Sequence, residues 1–210
     1  MKNTLILLVF LLASNVNYAQ INAVTEVGEE VILYEDGTWI FKNGDPIETQ
    51  EIPLNPTEFS KSDNAGFLLK SEKIDKGFYI NPKKWMFKKG EDGTEAEYDL
   101  QMKDGDLYGM IISEKIQIPL LSLRQIALEN GRSVAPDLKI VKEEYRMVNG
   151  MKLLYLQMNG TTQGIKFSYV GYYHSDEGGT LQFVTYTSQN LIDEYQSVCE
   201  ELLNGFVELN

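Results

Sequence analysis

Between residues 139 and 204 the spacing of apolar side chains changes once, from every second residue to every third or fourth. The first part reads as four strands, Lys139–Val148, Met151–Met158, Ile165–His174 and Thr180–Thr187. Asn149-Gly150 is the strongest reversal signal, because a two-residue type I′ turn needs positive φ at both positions. Asn159-Gly160 and Gly178-Gly179 mark the next two reversals. Ile165, Phe167, Tyr169 and Tyr173 share one face with Gly171 in line, while Lys166, Ser168 and His174 fall on the other. In the last strand Leu181, Phe183 and Thr185 oppose Gln182, Val184 and Tyr186. After Thr187 the period becomes helical. Leu191, Tyr195, Val198, Cys199 and Leu202 lie on one face of a helix over 190–204, which Gly205 ends in the left-handed conformation. Burying five such side chains contributes about 1.5–3 kcal/mol each, far more than any helix propensity. The helix therefore exists because it lies on the sheet.

The first residues carry an address. Lys2 precedes an apolar run from Leu5 to Leu12, and Ala19 before Gln20 suits cleavage, so residues 1–19 read as a signal peptide. The run is too short for a stable membrane span, and none is expected after signal removal. An exported protein, periplasmic or secreted, is the expectation. The chain has 19 Lys and Arg against 31 Asp and Glu, a net charge of −12. That balance argues against nucleic acid, for which a basic footprint is the minimum requirement. A single cysteine, Cys199, cannot form an internal disulfide and reads as a small core residue.

Residues 20–42 form a small N-terminal element: Val31–Tyr34, a turn at Glu35-Asp36-Gly37, then Thr38–Phe41, a β-hairpin. It resembles a strand–DGTW–strand element found at the start of many exported bacterial proteins. Residues 43–65, with Pro46, Pro53 and Pro56 among polar residues, read as a linker. From Gly66 the chain becomes compact again. Short strands are expected at Phe67–Leu69 and Phe78–Ile80, and a turn at 81–84 delivers Trp85 to the core. A hairpin spans 96–102 and 107–113. A helix from Pro119 to Asn130 follows, ended by Gly131.

That order has a counterpart. An extended segment ending in Pro82-x-x-Trp85 precedes a hairpin and a helix. A strand ending in Val148-Asn149-Gly150, a Val184–Ser188 "VTYTS" strand and a closing helix followed by Phe206 come after. Over residues 66–210 the chain resembles the PsbP-like superfamily, which includes an extrinsic subunit of the oxygen-evolving complex, a Ran-binding nuclear-import factor and exported bacterial relatives. The resemblance implies an α+β fold, an antiparallel β-sheet meander flanked by helices in an α/β/α sandwich. It also implies binding of other proteins or of metal ions, without an established catalytic role.

The residues themselves offer little chemistry. His174, the only histidine, sits before Ser175-Asp176-Glu177 and reads as a solvent-facing loop residue. No Gly-x-Ser-x-Gly elbow is present, and one His with one Cys does not make a zinc site. Glu91-Asp92, Asp104-x-Asp106 and Asp176-Glu177 coincide with expected turns, and none has the ligand alternation of a calcium loop. No catalytic residue, metal site or cofactor is expected. The meander is rich in tyrosine, and Tyr155, Tyr169, Tyr172, Tyr173 and Tyr186 are the candidates for an interaction face. The reading is a non-catalytic binding or assembly module whose partner is another envelope protein. The alternatives are a carboxylate-based hydrolase and a structural companion of an envelope complex.

Overall fold

The computed structural model describes residues 21–25, 30–33, 39–42 and 52–209. The segment 1–19 read as a signal peptide, the turn expected at Glu35-Asp36-Gly37 and residues 43–51 lie outside them. The chain divides into two compact units between Gly44 and Asp45. In the first, β1 (Ile21–Val24), β2 (Glu30–Leu33) and β3 (Trp39–Phe41) form an antiparallel sheet in that order, with Leu33 opposite Trp39 and Val31 opposite Phe41.

The second unit begins with β4 (Leu54–Phe59), β5 (Phe67–Lys70), β6 (Lys76–Ile80), β7 (Trp85–Lys89), β8 (Tyr98–Met102) and β9 (Tyr108–Glu114). Then come α1 (Leu120–Val134), β10 (Lys139–Val148), β11 (Met151–Thr162), β12 (Ile165–Asp176) and β13 (Gly179–Ser188). A 3₁₀ turn at Gln189–Leu191 leads into α2 (Ile192–Leu203), and β14 (Phe206–Glu208) closes the unit. Eight strands make one sheet in the order β4-β10-β11-β12-β13-β9-β8-β7, antiparallel throughout except that β4 runs parallel to β10. A smaller antiparallel sheet has the order β14-β6-β5.

Alternation along the strands sends side chains into two cores. On one face Leu153, Tyr155, Tyr172 and Phe183 meet Cys199, Leu202 and Leu203 of α2, together with Phe78, Ile80 and Phe206 of the small sheet. On the other face Leu154, Leu156, Tyr173 and Val184 meet Leu123, Ala127 and Leu128 of α1. Trp85 is buried in the first core.

Several sequence expectations change. Residues 54–59, inside the segment read as linker, are an edge strand, and Pro56 falls where the β4–β10 register shifts. An edge tolerates a residue that cannot donate to the ladder. The chain does not reverse at Asn159-Gly160; β11 runs on to Thr162, and the turn is at Gln163-Gly164, with φ of 49° and 80°. Gly160 answers to packing instead. A Cβ there would lie 2.8 Å from Leu138 Cδ1 and 3.2 Å from Ala135 Cβ, so the loop after α1 can cross the strand only above a glycine. Gly131 lies inside α1, which continues to Val134. Gly205 follows α2 without a positive φ. Asn149-Gly150 does turn the chain as its chemistry dictates, with φ of 48° and 83°.

Candidate interaction face

The five candidate tyrosines do not share a face. Tyr155 and Tyr172 point into the core under α2, and Tyr173 is buried beneath α1. Only Tyr169 and Tyr186 are part-exposed, both on the α1 side of the sheet. The reason is the odd–even rule. Tyr172 and Tyr173 are adjacent on β12 and must point opposite ways, and Tyr155, opposite Tyr172 across the ladder, follows it.

On the α1 side the helix covers the sheet incompletely. A hollow of about 170 Å³ lies between Ala127, Gly131 and Val134 of α1 and the sheet residues Met110, Met158 and Tyr173. A second, of about 420 Å³, opens farther along, over Met86, Lys88, Asp99, Gln101, Tyr108 and Tyr186. Tyr169 lines the first hollow and Tyr186 the second, and their ring centroids are 5.6 Å apart. Tyr108 stacks on Tyr186 at 5.5 Å, and Phe167 meets Tyr169 edge-on at 4.9 Å. A row of four aromatic rings thus joins the two hollows. No hydrogen bond to another described residue engages the hydroxyls of Tyr108, Tyr169 or Tyr186. Burial raises the pKa of the Tyr169 and Tyr186 phenols, so both stay protonated and able to donate at neutral pH.

Tyr108 and Met86 were missed by sequence reasoning. Tyr108 joins the row because β9 pairs with β13, and Met86 reaches the second hollow because β7 pairs with β8; neither placement can be read from the residue's neighbours in sequence.

The polar clusters elsewhere are structural. His174 is in β12, mostly buried, and its Nε2 lies 3.0 Å from Asp176 Oδ2, which corrects the solvent-facing loop reading. Lys76 Nζ bonds the same carboxylate oxygen at 2.6 Å and Glu208 at 2.9 Å. Burial pushes the Asp176 carboxyl up, but the bonds from Lys76, His174 and the Gly178 N–H outweigh it and hold the pKa at about 2. The neighbouring Ser175 hydroxyl accepts a bond from the Ile118 N–H at 2.9 Å and is not paired with the imidazole. Ser71 and Ser113 both donate to Glu97. The Cys199 thiol is buried, which raises its pKa. Among the described residues, no group of three or more His, Cys, Asp or Glu could hold a metal ion, and no helix is long and apolar enough to cross a membrane.

No protein-family model matches the sequence, and no curated protein matches it. Solved structures do resemble it. The cyanobacterial PsbP protein CyanoP from Synechocystis is 13% identical over 68% of this chain and 91% of its own, with a TM-score of 0.51. LpqN, a Mycobacterium tuberculosis protein involved in cell envelope biogenesis, is 10% identical over 74% of this chain and 100% of its own, with a TM-score of 0.46. A Pseudomonas aeruginosa protein of unknown function, PA94, described as a putative regulator, is 11% identical over 69% and 97%, with a TM-score of 0.44. The eight-stranded sheet with its helices and small second sheet is a PsbP-like fold.

Proposed function

We propose that this protein is a non-catalytic binding or assembly module of the bacterial envelope or periplasm, engaging a partner protein through the aromatic row on the α1 side of its large sheet. The carrying observation is that Tyr108, Tyr169 and Tyr186 are part-exposed, have hydroxyls without a hydrogen-bond partner among the described residues, and border two hollows. Tyrosine suits such a face because it offers a large apolar body and a polar tip at low entropic cost. Export rests on the leader-like residues 1–19.

A carboxylate hydrolase has less support. Its general acid needs a carboxyl held protonated near neutral pH. Among the described residues, the carboxyls with shifted acidity are Glu91, Asp137, Glu144 and Asp176, and all four shift downward.

The test is a photo-crosslinking residue at position 186 of the full chain, expressed in a bacterium and compared with the same residue at exposed position 166 on the opposite face. A discrete adduct at 186 and not at 166, lost with Tyr108→Ala, is the expected result. Equal adducts at both positions, or none, refute the reading. Terminal sequencing of the exported chain should start at Gln20; a retained leader would remove the export claim.

A further inference from the structure

The two edges of the large sheet differ. At one, β4 carries Pro56 and meets β10 with a broken register, which discourages further pairing. At the other, β7 is five residues long without proline or bulge, and no described strand lies beyond it.

The ladder phase shows which backbone groups are left over. Lys103 N–H donates to the Lys84 carbonyl, and Gly90 N–H to the Glu97 carbonyl. In an antiparallel pair, residues bonded to the neighbour alternate with residues that are not. Lys84, Met86, Lys88 and Gly90 therefore turn their backbone groups toward β8, and Phe87 and Lys89 turn theirs outward. Around this edge apolar side chains stay exposed: Met86 at 46%, Phe87 at 41% and, stacked on Phe87 at 5.4 Å, Phe67 at 42%. Met86, Phe87 and Lys88 all border the 420 Å³ hollow, and the Phe87 ring meets those of Tyr98 and Phe67.

We propose that β7 is the docking edge for an extended, acidic–apolar peptide segment, which adds to the large sheet as a ninth strand. This rests on the binding-module reading and names its partner chemistry. Main-chain bonds to Phe87 and Lys89 supply affinity, and side-chain pockets at alternate positions supply selectivity. The residue opposite Phe87 packs on the Phe67–Phe87 pair. Its neighbours, opposite Met86 and Lys88, reach over the hollow toward Tyr108 and Tyr186. Charge selects the occupant. β7 carries Lys88 and Lys89 and no carboxylate, in a chain that is acidic overall. The present partners of these lysines, Glu91 and Asp99 for Lys88 and Glu72 for Lys89, form solvent-exposed ion pairs, which contribute little and exchange readily. A strand bearing Asp or Glu is matched to this edge, and a second copy of β7 is not.

The probe is a fluorescein-labelled peptide, Thr-Glu-Glu-Val-Tyr-Val-Thr, titrated into the full chain by fluorescence polarisation, with amide exchange followed in parallel. Slowed exchange at Phe87 and Lys89 is expected. Lys89→Pro removes only an outward N–H, and it should weaken binding about tenfold, as should N-methylation of alternate peptide amides. Lys88→Glu with Lys89→Glu, at exposed side chains, should also weaken binding, and a peptide with Lys in place of Glu should recover it. Four results overturn the proposal: no binding of the probe at millimolar concentration; binding indifferent to Lys89→Pro and to N-methylation; indifference to the charge reversal; or a protein that by itself sediments as a dimer with Phe87 and Lys89 protected. Crosslinking from position 186 that survives Lys89→Pro would remove the ninth strand while leaving the binding module intact.

Discussion

The guanidinium carbon of Arg146 lies 3.8 Å from the ring centre of Tyr155, and the arginine is almost wholly buried. A buried charge is tolerable only when paired and hydrogen-bonded. Arg146 Nε donates to Glu144 at 2.6 Å, and Nη1 to Glu200 at 3.2 Å and to the Tyr172 hydroxyl at 3.3 Å, while Phe59 of β4 covers it at 4.6 Å. One side chain on β10 thereby connects β4, β11, β12 and α2. Burial alone would raise the Glu144 pKa, yet bonds from Asn55 and Arg146, with the charge of Lys142, bring it below the usual range.

Arg146→Met should therefore destabilise the fold by about 3–5 kcal/mol, because Glu144 is left nearly buried with only the more exposed Lys142 opposite it. Adding Glu144→Leu should recover much of that loss, since an apolar replacement of both partners removes the desolvation penalty. Urea unfolding of the two variants checks this. A single variant within about 1 kcal/mol of the parent would mean the cluster is not coupled to folding.

Asn149 serves twice. Its backbone makes the β10–β11 turn, and its side-chain amide donates to the carbonyls of Asn204 at 2.8 Å and Phe206 at 2.7 Å, tying down the end of α2. Asn149→Gly keeps the positive φ and loses these two bonds and the one Oδ1 accepts from the Lys61 N–H at 3.0 Å, so a cost of about 1–3 kcal/mol is expected. Asn149→Asp should cost at least as much, because a carboxylate would face two carbonyl oxygens. Thermal unfolding that leaves Asn149→Gly unchanged would show that the turn alone accounts for the residue.

Acid should loosen the Lys76–Asp176–His174 cluster late. The Asp176 carboxyl drops from 3.8 to about 2 on folding, so its contribution is fully present above pH 4 and is lost as pH falls toward 2. After allowance for solvent screening of this partly exposed group, the effect is about 1 kcal/mol. Asp176→Asn should be less stable at pH 6 and converge with the parent near pH 2. Parallel stability curves over that range would contradict this assignment.

How much of this was legible beforehand follows from the range of each interaction. The Asn149-Gly150 turn, the Leu202 face of α2 and the Trp85 anchor rest on neighbours in sequence, and reading the chain locally finds them. The strand around Pro56 reads in sequence as a linker because its partner, β10, lies about ninety residues away, and a parallel edge strand needs no alternation of its own. Gly160 reads as a turn because a glycine demanded by Leu138 looks, in sequence, like one demanded by φ. Arg146 gave little warning of its burial. Glu144 is two residues away on the same strand, but Glu200 of α2 and the covering rings reach Arg146 only through the fold.

The same limit divides the tyrosines into two testable groups. Tyr155 and Tyr172 are buried, and the Tyr172 hydroxyl donates to Asn204 at 2.7 Å, so truncation opens a cavity and strands a polar network. Tyr155→Ala and Tyr172→Ala should each cost about 3–5 kcal/mol. Tyr108 and Tyr186 lose only part of their surface to the fold, and each is backed by another ring rather than by a core. Tyr108→Ala and Tyr186→Ala should cost about 1 kcal/mol or less by denaturant unfolding, within the range of surface substitutions. Tyr108→Ala should nonetheless abolish the crosslink formed from position 186, whereas Tyr172→Phe, which retains the ring, should preserve it with a loss of about 1 kcal/mol in stability. If Tyr186→Ala instead unfolds the protein as readily as Tyr172→Ala, the aromatic row is core, and the interaction face must be sought elsewhere on the sheet.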